Sequence, residues 1–286
     1  MFEIERILNA REKKKKTFIY KIKKILKKKF TNYFDHRLFK KKKKTFGGWG
    51  LFTTDTLPPW QNLNNKENLI FKELNDKLIQ KINDKEFILS QFQYPDTDYK
   101  KIITELSWRH YFVFNSIKMV LKKSNKQKIN IVECGVCDGL TIFFALNACN
   151  NEKINFLAYL YDAWEKLVSK DEDLRFEYSY LDFDTVKKNL KEFEDNLIFN
   201  KGFIPGVFKK SINPESIDWI HIDLNSIEAT KSSLDYFYER LNKGGIILFD
   251  DYGGFEDTRA IVDQFFRDKS GHFINLPTGQ GIFVNA

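Results

Sequence analysis

The sequence predicts an α/β protein built on a doubly wound, mostly parallel sheet. Three observations carry that expectation. From Lys128 onward, short apolar strands alternate with amphipathic helices, the pattern of strand–helix–strand units that lay neighbouring strands parallel. A glycine-bearing turn follows the first of these strands. Two later strands run straight into carboxylates at their C-terminal ends, the edge at which open parallel sheets bind ligands.

The elements follow in order. Residues 1–44 form a basic arm with 15 Lys and 3 Arg against 4 acidic residues, net +14, which leaves −6 for the remainder of a chain whose total is +8. Within it Phe18, Ile22, Ile25 and Leu26 fall at helical spacing among lysines, the signature of a basic amphipathic helix. Residues 45–127 read as a loop and helical cap. The Gly- and Pro-rich stretch 46–62 is a loop, and 99–122 is one long helix with Leu106, His110, Val113, Ile117, Val120 and Leu121 on one face. On that face His110 reads as a core histidine.

Residues 128–286 form the main domain. Strands are expected at 129–133, 156–161, 197–200, 217–222 and 245–249. Helices are expected at 139–150, across Phe183, Val186, Leu190 and Phe193, across Leu234, Phe237, Tyr238 and Leu241, and at 258–267. Two short strands around Pro277-Thr278-Gly279-Gln280-Gly281 close the sheet as an antiparallel hairpin.

Composition bounds the function. With 286 residues, 42% of them hydrophobic and 16% aromatic, the chain has a real core and is not wholly disordered. No apolar run approaches the roughly 18–20 residues of a membrane span, and the N-terminus does not read as a secretory signal. Three cysteines do not make a disulfide scaffold, so a cytoplasmic setting is expected. Cys134 and Cys137 lack the further ligands of a zinc site and read as buried turn residues.

The chemistry-bearing residues cluster in three segments. In Ile131-Val132-Glu133-Cys134-Gly135-Val136-Cys137-Asp138-Gly139, Glu133 ends a strand, Gly135 relaxes the turn and Gly139 opens a helix. Asp162 ends the next strand, 23 residues beyond Gly139, where an acid suits the two hydroxyls of a ribose. Together these point to an adenosine-type ligand. Cys137 takes the place of the middle glycine of a dinucleotide fingerprint, which disfavours a pyrophosphate. The other two segments end strands in Asp223 and in Asp250-Asp251. Three converging carboxylates repel unless protonated or bridged by a cation, and a hard divalent ion such as Mg²⁺ suits oxygen ligands.

These residues, taken collinearly from about 128 to 284, resemble the macrocin O-methyltransferase family of class I S-adenosylmethionine-dependent methyltransferases, whose sheet is Rossmann-like. Glu133-Cys134-Gly135-Val136 with Gly139 resembles its cofactor loop. Asp162-Ala163-Trp164-Glu165 resembles its Asp-x-aromatic-Glu segment. His221-Ile222-Asp223, Glu228, Thr230, Leu241-Asn242-Lys243-Gly244-Gly245 and Asp250-Asp251-Tyr252 follow its most specific stretch. Asn225 and Ile227 depart from it, standing where the family often has Asp and Tyr. The resemblance implies Mg²⁺-assisted methyl transfer to a sugar hydroxyl of a glycan or glycosylated metabolite. It implies S-adenosylmethionine held by Glu133, Gly135, Gly139, Asp162 and Trp164, a metal held by Asp223, Asp250 and Asp251, Asp223 as proton acceptor and His221 assisting. A homo-oligomer is the expected assembly.

Two other classes remain open at this stage. A nucleic-acid methyltransferase would use the basic arm, although no proline lies between Pro214 and Pro277 to form an Asn/Asp-Pro-Pro-aromatic run. A nicotinamide-dependent oxidoreductase would share the sheet. The arm itself is expected to favour anionic membrane surfaces through salt-sensitive attraction. Removing residues 1–44 is therefore expected to abolish salt-sensitive co-sedimentation with anionic liposomes and to leave S-adenosylmethionine binding unchanged. Parallel titrations with RNA at matched salt discriminate the two anionic partners.

Overall fold

A computed structural model describes residues 65–90, 97–124, 126–165 and 181–286; the basic arm, its apolar stripe and the 46–62 loop lie outside the described residues. Seven strands form one sheet: β1 (Lys128–Cys134), β2 (Asn155–Asp162), β3 (Leu197–Lys201), β4 (Ile217–Ile222), β5 (Leu241–Phe249), β6 (Gly271–Asn275) and β7 (Gly281–Asn285). Their order is β3-β2-β1-β4-β5-β7-β6. All pairings are parallel except those of β7, which runs antiparallel to β5 and β6. The expected doubly wound sheet with a closing hairpin is thus the observed one.

The described helices are α1 (Lys66–Asn83), α2 (Tyr99–Ser124), α3 (Leu140–Asn151), α4 (Phe183–Asn189), α5 (Ile227–Phe237) and α6 (Glu256–Phe266). None of them is long and apolar enough to cross a membrane. The described residues all fall in one compact unit. α1 starts at Asn65, whose side chain accepts from the backbone N–H groups of Glu67 and Asn68, two donors that a helix cannot satisfy internally. α2 packs on α1, α3 and β5, burying Ile103, Val113, Ile117 and Val120 with Phe71 and Leu78 of α1. β4 is buried along its whole length, as a central parallel strand covered on both faces should be. Its two polar members therefore need partners. Asp218 accepts from Lys126 Nζ (2.5 Å), the Asn130 backbone N–H (2.9 Å) and Asn242 Nδ2 (2.8 Å); His221 is taken up below.

Two expected helices are shorter than their apolar spacing implies. The helix through Phe193 stops at Asn189 and gives way to a 3₁₀ segment, Lys191–Asn196. The helix expected to include Leu241 stops at Phe237; Tyr238–Arg240 tighten into 3₁₀ geometry and Leu241 opens β5. In both cases the apolar residue is still buried (Phe193, Leu241), so the spacing recorded burial correctly but not helix length.

Asn189, the last residue of α4, reaches two other segments of the chain. This buried side chain accepts from the Ile88 N–H (2.8 Å) and donates to the carbonyls of Ile88 (2.8 Å) and Asp138 (2.8 Å). It ties the segment after α1 to the turn before α3. Asn189→Ala leaves three backbone groups without a partner and should destabilise the protein by about 2–4 kcal/mol, measurable as a lowered midpoint in urea denaturation.

Candidate active site

The site begins where β1, β4 and β5 end. Hydrogen bonds continue the ladder past the strands: Asp223 N–H to Cys134 O (2.9 Å), Asp250 N–H to Ile222 O (3.1 Å) and Gly135 N–H to Tyr161 O (2.8 Å). They set Gly135, Asp223 and Asp250 side by side at the point where strand order reverses. Gly135 has φ +86°, and a Cβ there would stand 1.7 Å from the Asp223 carbonyl oxygen. Only glycine lets the turn lie this close to the end of β4.

The turn after β1 is held from below by Asp162. Its Oδ2 accepts from the N–H groups of Val136 and Cys137, both at 2.8 Å, and its Oδ1 from Trp164 N–H at 3.1 Å. The Trp164 indole is buried and donates to Cys137 O at 2.9 Å. This helps hold Cys137 at φ +51°, a conformation that non-glycine residues rarely adopt. On the far side, Ser90 grips both oxygens of buried Asp138, N–H to Oδ2 at 2.6 Å and Oγ to Oδ1 at 2.8 Å. Burial pushes the Cys134, Cys137 and Cys149 thiols up; Cys134 and Cys149 are buried packing residues, whereas Cys137 is half-buried and lines the cavity described below.

Asp223, Asp250 and Asp251 each offer a carboxylate oxygen within 4.8 Å of the other two, the one such cluster of potential metal ligands among the described residues. Arg109 of α2 reaches into it. Its Nε donates to Asp250 Oδ1 (3.0 Å), and its Nη2 to Asp250 Oδ2, to Asp250 O (2.5 Å) and to Asp251 Oδ1 (3.3 Å). Gln280, fully buried in the hairpin, donates its Nε2 to Asp250 Oδ1 at 3.1 Å. The charge is unevenly compensated. Burial opposes ionisation of Asp250, but His221 and Arg109 outweigh it and hold this carboxyl below its ordinary value. Burial and the adjacent Asp250 hold Asp223 well above the usual carboxylate range.

Beneath the carboxylates lies a buried pair. His221 Nδ1 and Glu133 Oε1 are 2.8 Å apart, and His221 Nε2 stands 3.8 Å from Asp250 Oδ1. Burial favours a neutral imidazole, yet Asp250 and Glu133 together raise its pKa to about 10. Glu133 is held above its ordinary value by burial, with His221 opposing. We take the histidine to be the charged member, since two carboxylates face it.

A cavity of about 440 Å³ opens over this edge, within the range of small-molecule sites. Gly135, Asp162, Asp223 and Asp250 line it, together with Arg109, His110, Phe203 and Gln280. The other expected site residues sit behind its wall. Glu133 and His221 are 1% and 0% exposed, so Glu133 is out of a ligand's reach and His221 acts on the site only through Asp250. Trp164 packs under the turn, Gly139 caps α3, and Asp251 lines a small separate pocket that it shares with Asp223. His110 is a core histidine, as expected: it stacks on Phe144 at 4.2 Å and burial lowers its pKa to about 3. Arg109 and Gln280 belong to no sequence motif. Their nearest signals are a charge beside an apolar helical stripe and a polar residue in an apolar hairpin.

Residues 132–252 match the model of a family described as a methyltransferase domain. The match covers less than half of the 286-residue chain. The match spans the glycine turn, Asp162 and all three carboxylates, and lies within the segment whose motifs resemble the class I enzymes. A solved structure of the O-methyltransferase NovP shares this chain's fold at a TM-score of 0.57 and 17% identity, covering 77% of this chain and 100% of that one. Calicheamicin methyltransferase CalS11 is 13% identical with a TM-score of 0.47, over 82% of this chain and 99% of that one. No curated protein sequence matches the chain significantly.

The contact between Gly135 and Asp223 is the tightest of the site. Gly135→Ala adds a Cβ that the Asp223 carbonyl cannot accommodate, in a left-handed conformation that disfavours alanine. We expect a stability loss of about 2–4 kcal/mol and loss of S-adenosylhomocysteine binding by calorimetry.

Proposed function

We propose that this protein is an S-adenosylmethionine-dependent O-methyltransferase, assisted by a divalent cation and acting on a sugar hydroxyl of a glycan or glycosylated metabolite. The observation that carries the reading is the meeting, in one cavity, of a glycine turn with Asp162 on one side and the Asp223–Asp250 pair on the other. The O-linked acceptor rests on the motif resemblance, and NovP, whose fold the chain shares, is an O-methyltransferase by name.

The residues fit the cofactor. Asp162 Oδ2 is filled by two backbone donors, but Oδ1 accepts only one, which leaves it an acceptor position for a hydroxyl. The same carboxylate thus shapes the turn and presents an oxygen to the cavity. S-adenosylmethionine, when bound, supplies an electrophilic methyl carbon on a sulfonium. The protein's part in such an in-line displacement is alignment and proton removal. Asp223, whose burial beside Asp250 raises its proton affinity, is placed to accept the proton of an acceptor hydroxyl. Arg109 and Gln280 fix Asp250 beside it.

The carboxylates also fit a hard cation. All three donors are oxygens, and at Asp223 burial and the Asp250 charge outweigh what His221 and Arg109 contribute. Asp223, Asp250 and Asp251 would hold the ion, which would lower the pKa of the acceptor hydroxyl and stabilise the forming alkoxide.

Transfer can be followed by mass spectrometry of glycans and metabolites that gain a methyl group on expression of the protein, and then with the acceptor so found. Chelation should abolish turnover and Mg²⁺ restore it. Asp250→Asn should slow transfer by on the order of 100-fold or more while leaving S-adenosylhomocysteine affinity nearly unchanged. Asp162→Ala should do the reverse, weakening cofactor binding by about 1–3 kcal/mol. Full activity in excess chelator would remove the cation from the mechanism.

A further inference from the structure

Arg109 stands 141 residues before Asp250 in the chain, yet it makes four polar contacts with Asp250 and Asp251. Its guanidinium meets both oxygens of Asp250, the Asp250 carbonyl and Asp251 Oδ1. Gln280 adds a second donor to Asp250 Oδ1. A carboxylate oxygen accepts about two strong bonds, so Oδ1 is filled, and Oδ2 already receives Arg109 Nη2. The guanidinium thus engages both carboxylate oxygens of Asp250 and one of Asp251, the oxygens of two of the three residues that would hold a cation. The arrangement is anchored from α2, whose neighbouring residues Leu106, His110 and Val113 also line the cavity.

Resting on the cation reading above, we infer that Arg109 and a divalent cation are alternative occupants of Asp250 and Asp251. Arg109 is the internal counter-ion of the metal-free enzyme, and loading the metal draws its Nη2 off at least one of the two carboxylates. The planar fork matters as much as the charge. A guanidinium engages two oxygens at once, whereas an ammonium offers a point charge on a flexible stem. Arg109 is therefore a positioning residue that sets how readily the site accepts metal. Because α2 forms part of the cavity wall, exchange of the two occupants also reshapes the acceptor side.

Mn²⁺ binding to the full-length protein, followed by electron paramagnetic resonance of the free ion, tests this without an acceptor or turnover. The wild type is compared with Arg109→Gln, which keeps polar contacts but no charge, and Arg109→Lys, which keeps the charge but not the fork. Thermal melts and S-adenosylhomocysteine calorimetry confirm that each variant folds. We expect Mn²⁺ affinity to rise on the order of 10-fold or more in Arg109→Gln and to rise measurably in Arg109→Lys. If Arg109→Lys matches the wild type while Arg109→Gln tightens, a through-space field explains the result and direct exchange is overturned. If neither variant tightens while the wild type binds Mn²⁺, Arg109 is no competitor and the inference fails alone. If Mn²⁺ binds none of the three, the cation reading itself fails and takes this inference with it.

Discussion

Gathering three carboxylates at one sheet edge is the constraint around which the site is built. Like charges this close, partly shielded from water, cannot all be ionised without compensation. The fold answers with cations from two directions: Arg109 from the α2 layer above and His221 from within β4. Both act on Asp250, so Asp250 is the settled anion and Asp223 the unsettled one. That asymmetry divides their roles. Asp250 is a fixed point, held by Arg109 and Gln280 with the His221 charge beneath it, whereas Asp223 has a raised proton affinity. Two acids on adjacent strands thus acquire different chemistry from their surroundings alone.

The cofactor side depends on a different limit, set by backbone rather than charge. The turn after β1 lies against the end of β4 because Gly135 has no Cβ. Asp162 then gathers its amides, and the Trp164 indole and the Ser90–Asp138 clamp hold it from either flank. A ligand at this edge meets a surface organised before it arrives, which lowers the ordering cost of binding. The two halves are mechanically joined, since the atom that the Gly135 Cβ would strike belongs to Asp223.

Much of this was legible in the sequence because it depends on short-range pattern. Apolar runs ending in Asp223 and in Asp250-Asp251 place carboxylates at the same edge once the strands are parallel, whatever the details of packing. Glu133 was not legible in the same way. It ends β1 much as Asp162 ends β2, but the β1–β4 register sets it beside His221, and the two bury each other. Register is a property of strand pairs, and no single segment encodes it. Arg109 was hidden by distance along the chain, and Gln280 by the absence of any motif around it. α1 went unassigned although Phe71, Leu74, Leu78 and Ile82 stand at helical spacing. The truncated helices before Lys191 and Tyr238 show the opposite failure, a spacing that persists through a change of helix type.

The central claim is that one cavity holds the methyl donor on its Gly135–Asp162 side and a cation among Asp223, Asp250 and Asp251. A crystal of the protein grown with S-adenosylhomocysteine and Mn²⁺, with data collected at the manganese absorption edge, tests both halves at once. The account predicts a single strong anomalous peak bounded by the three carboxylates, with the ribose of the product against Asp162 and Arg109 withdrawn from at least one of its two partners. Product bound elsewhere than the Gly135 turn, or a manganese peak remote from Asp223 with the Arg109–Asp250 contact intact, would contradict it.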